Sequence, residues 1–163
     1  MSLNPSIALQ LISCTIGCIG VCCWYNGKGK QFLFTAVGAF LTWGVEILAH
    51  NLTDSNFMAT FLAAVFVAAY AELMARVCRA PSTIFLTTGA FPLVPGASLY
   101  NCMHNAVQGL FMPAAYNLFQ VIAVAMAIAL GFIVVSIIRR YIVFAVKYHR
   151  HRKRLRVRKQ NEQ

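Results

Sequence analysis

Phe91-Pro-Leu-Val-Pro-Gly-Ala-Ser-Leu-Tyr100 interrupts an apolar run, 82–107, that is otherwise long enough to cross a membrane. Counted from Ser82, the interruption begins about ten residues in, which at ~1.5 Å per residue is about 15 Å deep, near the middle of a ~30 Å hydrocarbon core. Pro92 and Pro95 each remove a backbone donor and clash with the preceding turn, and Gly96 admits backbone angles that other residues avoid. Lipid offers nothing to the carbonyls this frees, so such a break persists only against protein or a water-filled cavity. Broken helices near the bilayer midplane are also where many transporters hold their substrates.

The rest of the chain fits the same setting. Of its 163 residues 60% are hydrophobic and only 11% are charged, where a soluble domain carries about a quarter. Apolar segments cover about 7–24, 32–48 and 57–77, and a fifth begins after Pro113 and reaches about 138. The expected fold is an all-α integral membrane protein of about five transmembrane helices, the fourth broken at the Pro-x-x-Pro-Gly motif. Residues 1–138 then form the membrane domain and 139–163 a basic cytoplasmic tail. Ile142, Val143, Phe144 and Val146 sit among the first charges of that tail, so its helix is expected to continue along the membrane surface. A cleaved signal peptide is not expected, because the first apolar segment lacks a basic leader.

The net charge of +10 suggests nucleic acid until it is located. Ten of the 14 Lys and Arg lie from Arg139 onward, and the others are Lys28, Lys30, Arg76 and Arg79. A basic run directly after a membrane helix marks the cytoplasmic side and meets anionic membrane lipid. No nucleic-acid motif accompanies it, so nucleic acid is not an expected partner. The loop near residue 54 carries Asp54 and no Lys or Arg, and 109–113 is also free of them. Five crossings with the N-terminus outside place every basic segment in the cytoplasm, whereas four would split them. The expected location is the cell (inner) membrane, multi-pass. Five is odd and no tandem repeat is visible, while inverted-repeat transporters need two matching halves. The chain reads as half of a machine.

Cys14, Cys18 and Cys22 recur at i, i+4, i+8 with Cys23 beside them. Without a Cys-x-x-Cys pair or nearby His cluster, they read as small polarisable residues at a helix–helix contact, and no metal or cofactor is expected.

Ala71-Glu-Leu-Met-Ala-Arg76, Arg79-Ala-Pro81, Phe85 and above all Pro92-Leu-Val-Pro-Gly96 with Leu99-Tyr100 and Met103 resemble the small-subunit half of the threonine/serine exporter family. The resemblance covers about 26–131 and omits the Cys-rich first segment and the basic tail. That half occurs fused behind a larger partner or as a separate short chain, as in the split dicarboxylate (succinate) exporters. The resemblance therefore implies a larger membrane subunit as partner and export of threonine, serine or a dicarboxylate such as succinate.

The residues agree with that implication. After Gly96 a half-helix starting near Ala97 or Ser98 presents its N–H groups and positive dipole end to the gap, which favours a carboxylate. Ser98 can cap it or donate to a ligand, and Tyr100 and Asn101 add polar edges. Pro92, Pro95, Gly96, Ser98, Tyr100 and Asn101 are the candidate substrate path. Glu72 and Arg76, at i, i+4, are either a simple ion pair near the interface or the coupling site for a proton gradient. Glu46 and His50 repeat the spacing at the outer end of the second segment, and His104 and Gln108 either line the path or bond to neighbouring helices.

No nucleophile elbow, paired metal ligands or phosphate loop is present, so an enzyme is not expected. Ser98 and His104 lie six residues apart, about 600° around a helix, and face roughly opposite ways. A membrane scaffold with a recruiting tail and a homo-oligomeric channel are the rival readings.

Overall fold

A chain this apolar satisfies its backbone within helices. The computed structural model describes residues 5–25, 29–53 and 55–161, and no strand occurs among them. Six helices follow in order: α1 Pro5–Trp24, α2 Lys30–Thr53, α3 Asn56–Cys78, α4 Ser82–Ala90, α5 Gly96–Val107 and α6 Phe111–Asn161. A 3-10 turn, Phe91–Leu93, joins α4 to α5. Three stretches are long and apolar enough to span a membrane: Gln31–Thr53, Asn56–Cys78 and Phe111–Phe144. Ser82–Leu93 with Gly96–Val107, bent by 52°, makes a fourth when taken together, and Ile12–Trp24 is a shorter apolar stretch.

The bundle is built around α3. Its Ala59, Ala63, Ala64, Ala68 and Ala71 are buried, and small side chains let neighbouring backbones approach closely. Glycines complete the fit from three directions. A Cβ on Gly38 of α2 would sit 2.5 Å from Tyr70, and one on Gly89 of α4 would sit 2.6 Å from Val67. One on Gly131 of α6 would sit 2.7 Å from the Ala64 Cβ and 3.1 Å from the Val65 nitrogen. Ala63, Ala64 and Val67 form the core with Leu93, flanked by Val45, Ala90, Ile128 and Phe132.

Helices α3 and α6 run parallel. Glu72 pairs with Arg139, 67 positions later. Ala64 meets Gly131 at the same offset, and so do Asn56 and Ala123 across a shared groove. The chain between two parallel helices must travel back the full length of the bundle. Helix α4 starts level with Glu72, where Ser82, Phe132 and Ser136 share a small cavity with it. Leu93 lies halfway, beside Ala63 and Ala64, and α5 finishes at the end where α6 begins. The helix breaks at the two prolines, as expected, and the break lies about halfway along α3.

Boundaries differ from expectation in two places. Helix α2 runs through Thr53 instead of ending near 48, and the Thr53 hydroxyl donates to the Ala49 carbonyl at 2.7 Å. Helix α6 begins at Phe111, because Pro113 falls in its first turn, where a missing N–H costs nothing. The backbone of α6 continues past 138 to Asn161, as the apolar residues among the first tail charges lead one to expect. Two ends match their chemistry. Arg79 closes α3 in the left-handed region at φ 49°, its N–H on the Ala75 carbonyl, and Pro81 forbids continuation. Gly109, at φ 76°, closes α5, with the Leu110 N–H on the Asn105 carbonyl at 2.9 Å. Lys28, Asp54 and the tail side chains after Phe144 lie outside the described residues.

Candidate functional site

Local chemistry produces the break step by step. The Thr87 hydroxyl donates to the Thr83 carbonyl at 2.7 Å and the Thr88 hydroxyl to the Ile84 carbonyl, a back-bonding that loosens and bends helices. Pro92 then falls within the 3-10 turn, closed by the Val94 N–H on the Phe91 carbonyl at 3.3 Å. Pro95 has φ −77° and ψ 61°, and the Gly96 N–H reaches over it to the Val94 carbonyl at 2.8 Å. That is an inverse γ-turn. Leu93, 2% exposed, plugs the turn into the core against α3.

Helix α5 begins directly after this turn. The Leu99 N–H finds the Pro95 carbonyl at 3.0 Å, while those of Ala97 and Ser98 have no backbone acceptor among the described residues. No side chain caps this end, so Ser98 does not act as the expected cap. Pro92, Pro95 and Ser98 are half-buried; Gly96, Tyr100 and Asn101 are exposed. Helix α4 packs on α1, α2 and α3, whereas α5 packs on α6. The break thus divides a half embedded in the bundle from a half standing at its edge.

Tyr100 stacks on His104 with ring centroids 5.9 Å apart, and His104 hydrogen-bonds Gln108 at 3.1 Å. These residues make an exposed stripe along α5 rather than bonds to neighbouring helices.

The acidic candidates separate sharply. Glu72 pairs not with Arg76 one turn on but with Arg139 of α6. Arg76 faces outward on the last turn of α3, while Arg139 lies on the neighbouring parallel helix at the same height. Glu46 lies inside the α2–α3 contact. One of its oxygens accepts from the Thr60 hydroxyl at a long 3.3 Å, and the other is buried without a partner. His50 bonds Asn56 at 2.9 Å, one turn nearer the end of α2 and the start of α3.

Sequence reasoning did not find Arg139, Leu93, Thr60 or Asn56 as functional neighbours. Only for Arg139 was there a signal, as the first charge after an apolar segment. Cys18 and Cys22 are fully buried on α1, which packs against α2, as small residues at a helix contact should be.

The sequence profile described as Threonine/Serine exporter, ThrE, matches residues 10–138. No curated protein and no solved structure gives a match. The matched region takes in the broken helix pair, the Glu72 segment and most of the apolar part of α6. The chain belongs to the threonine/serine exporter family, a family of membrane exporters and not of enzymes.

Proposed function

We propose that this chain is the small subunit of an exporter of small carboxylate-bearing metabolites, threonine and serine or a dicarboxylate such as succinate. The observation that carries this is the break itself. Two unpaired N–H groups, of Ala97 and Ser98, open a 12-residue helix beside a proline turn, and a helix start of this kind attracts a carboxylate. Pro92 and Pro95 hold the end open, Gly96 leaves space beside it, and Ser98, Tyr100 and Asn101 supply polar contacts. Such an end reads a negative charge more than a side chain, so an amino acid and a dicarboxylate both fit it.

A larger membrane subunit completes the path. The apolar part of α6 is almost wholly uncovered, and Tyr100, Met103 and Val107 of α5 are exposed. That leaves the broken helix with one open flank. Five crossings with the N-terminus outside put the Glu72 end and the basic tail in the cytoplasm, facing anionic lipid. Two carboxyls lie within the spans and are candidates for coupling, Glu72 and Glu46. The ion pair with Arg139 favours Glu72 as a clasp between α3 and α6.

Counterflow in proteoliposomes tests the reading. With the larger subunit present, labelled threonine, serine or succinate should exchange against its unlabelled form. Neither subunit alone should support it. Exchange by this chain alone as a homo-oligomer would replace the proposal with a channel.

A further inference from the structure

Helices α2 and α3 are bonded to each other in antiparallel rungs. His50 bonds Asn56 at 2.9 Å, and one turn deeper the Thr60 hydroxyl reaches Glu46 at 3.3 Å. Far below, the Tyr70 hydroxyl donates to the Phe34 carbonyl at 2.7 Å. The first rung opens on a groove of about 440 Å³, lined by His50, Ser55, Asn56, Phe119, Gln120 and Ala123. The second rung is closed. Glu46 Oε2 is buried with no hydrogen-bond partner, and one turn back on α2 the Trp43 Nε1 is also buried without one.

From these contacts we infer that Glu46 is a proton-binding site, reached from the groove through the His50–Asn56 rung. A buried carboxyl with one long hydrogen bond and an unpartnered oxygen is costly to keep, and ionisable groups held inside a membrane bundle mark ion and proton paths. Among the described residues nothing cationic faces it from the neighbouring helices. Helix α1 presents Cys14, α3 presents Thr60, and α4 and the 3-10 turn carry no charged or His residue. On α3 the charged residues Glu72 and Arg76 lie three turns or more below. On α2 itself His50 is the near titratable group. Asp54 lies outside the described residues.

The chemistry is a simple binding step. A proton from solvent in the groove passes the imidazole and adds to a carboxylate oxygen of Glu46, leaving a neutral acid. Its departure to the other side restores the carboxylate, for which the Trp43 indole is a donor one turn away on the same helix. Coupling follows if only one of these two states allows the α2–α3 contact to rearrange. This rests on the exporter reading above.

The test uses both subunits in proteoliposomes, with labelled threonine as the probe. Glu46→Gln should lose accumulation driven by a pH gradient while threonine exchange at equal pH persists. Glu46→Asp, which still titrates, should keep accumulation. His50→Gln should slow accumulation without changing its final level; an unchanged rate would overturn the route through the groove. A second readout needs no transport. Infrared difference spectra between acidic and basic pH should contain a protonated-carboxyl band in the wild-type protein that Glu46→Gln lacks and Glu46→Asp shifts. Should Glu46→Gln fail to fold, the shift in Glu46→Asp decides. Wild-type accumulation by Glu46→Gln, accumulation driven by sodium alone, or an infrared band untouched by either variant would overturn the proposal. Absence of any threonine transport by the wild type, with the band present, would count against the threonine reading and leave the proton site standing.

Discussion

Arg139 of α6 donates to the carboxylate of Glu72 on α3, 67 positions earlier in the chain. The offset recurs where Gly131 meets Ala64 and where Ala123 stands across from Asn56, so the two helices are parallel and in register along their length. The ion pair is the clasp at one end. Its side chains are 52% and 25% exposed for Arg139 and Glu72, so Glu72→Gln should cost no more than about 1 kcal/mol in thermal unfolding. Exchanging the charges, Glu72→Arg with Arg139→Glu, should recover that loss. Gradient-driven transport by Glu72→Gln should stay near normal. Its failure with exchange intact would make Glu72 the proton carrier.

The close approach of α6 to α3 depends on Gly131. Gly131→Val places atoms against the Ala64 side chain and the Val65 nitrogen, where a Cβ alone would already overlap. Overpacking of this kind costs about 1–3 kcal/mol. Thermal unfolding in detergent should show it, and a Gly131→Val protein as stable as wild type would contradict the packing.

Replacing Pro92 and Pro95 together with Ala should let α4 and α5 merge, since Ala suits a helix and buries no polar group. The N–H groups of Ala97 and Ser98 would then be consumed within it. Expression and helical content should survive while counterflow is lost. Full transport by the double variant would reduce the motif to a packing kink. Leu93→Ala makes the complementary case, removing the plug and keeping both prolines, at about 2–5 kcal/mol.

Arg79 sits at φ 49°, a region that costs an L-residue about 1–2 kcal/mol and glycine far less. Arg79→Gly should therefore raise the unfolding temperature slightly. A fall would mean that the Arg79 side chain makes a compensating contact.

Topology is open to direct labelling. In a background without the native cysteines, a cysteine at Ser55 should react with an impermeant thiol reagent in intact cells. One at Gln160 should react only after the cells are opened. Labelling of both in intact cells would overturn the five-crossing arrangement.

The amino-acid sequence by itself determined the all-helical, apolar setting and the place where one helix breaks. These follow from local rules: lipid requires satisfied backbone, proline removes a donor, and charge gathers at the ends. It also marked where α3 stops, because Arg79-Ala-Pro81 leaves the chain no helical continuation. What it left undecided was which polar groups meet. Glu72-x-x-x-Arg76 and Glu46-x-x-x-His50 look alike as spacings, since each shares a helix face. Only the tertiary structure separates them, because a partner in a helical bundle is chosen by the register of neighbouring helices and not by distance along the chain. The parallel register of α3 and α6, permitted by Gly131 against Ala64, brings Arg139 to Glu72 and neutralises it. The antiparallel register of α2 and α3 sets one oxygen of Glu46 beside the Thr60 hydroxyl and leaves the other buried without a partner among the described residues.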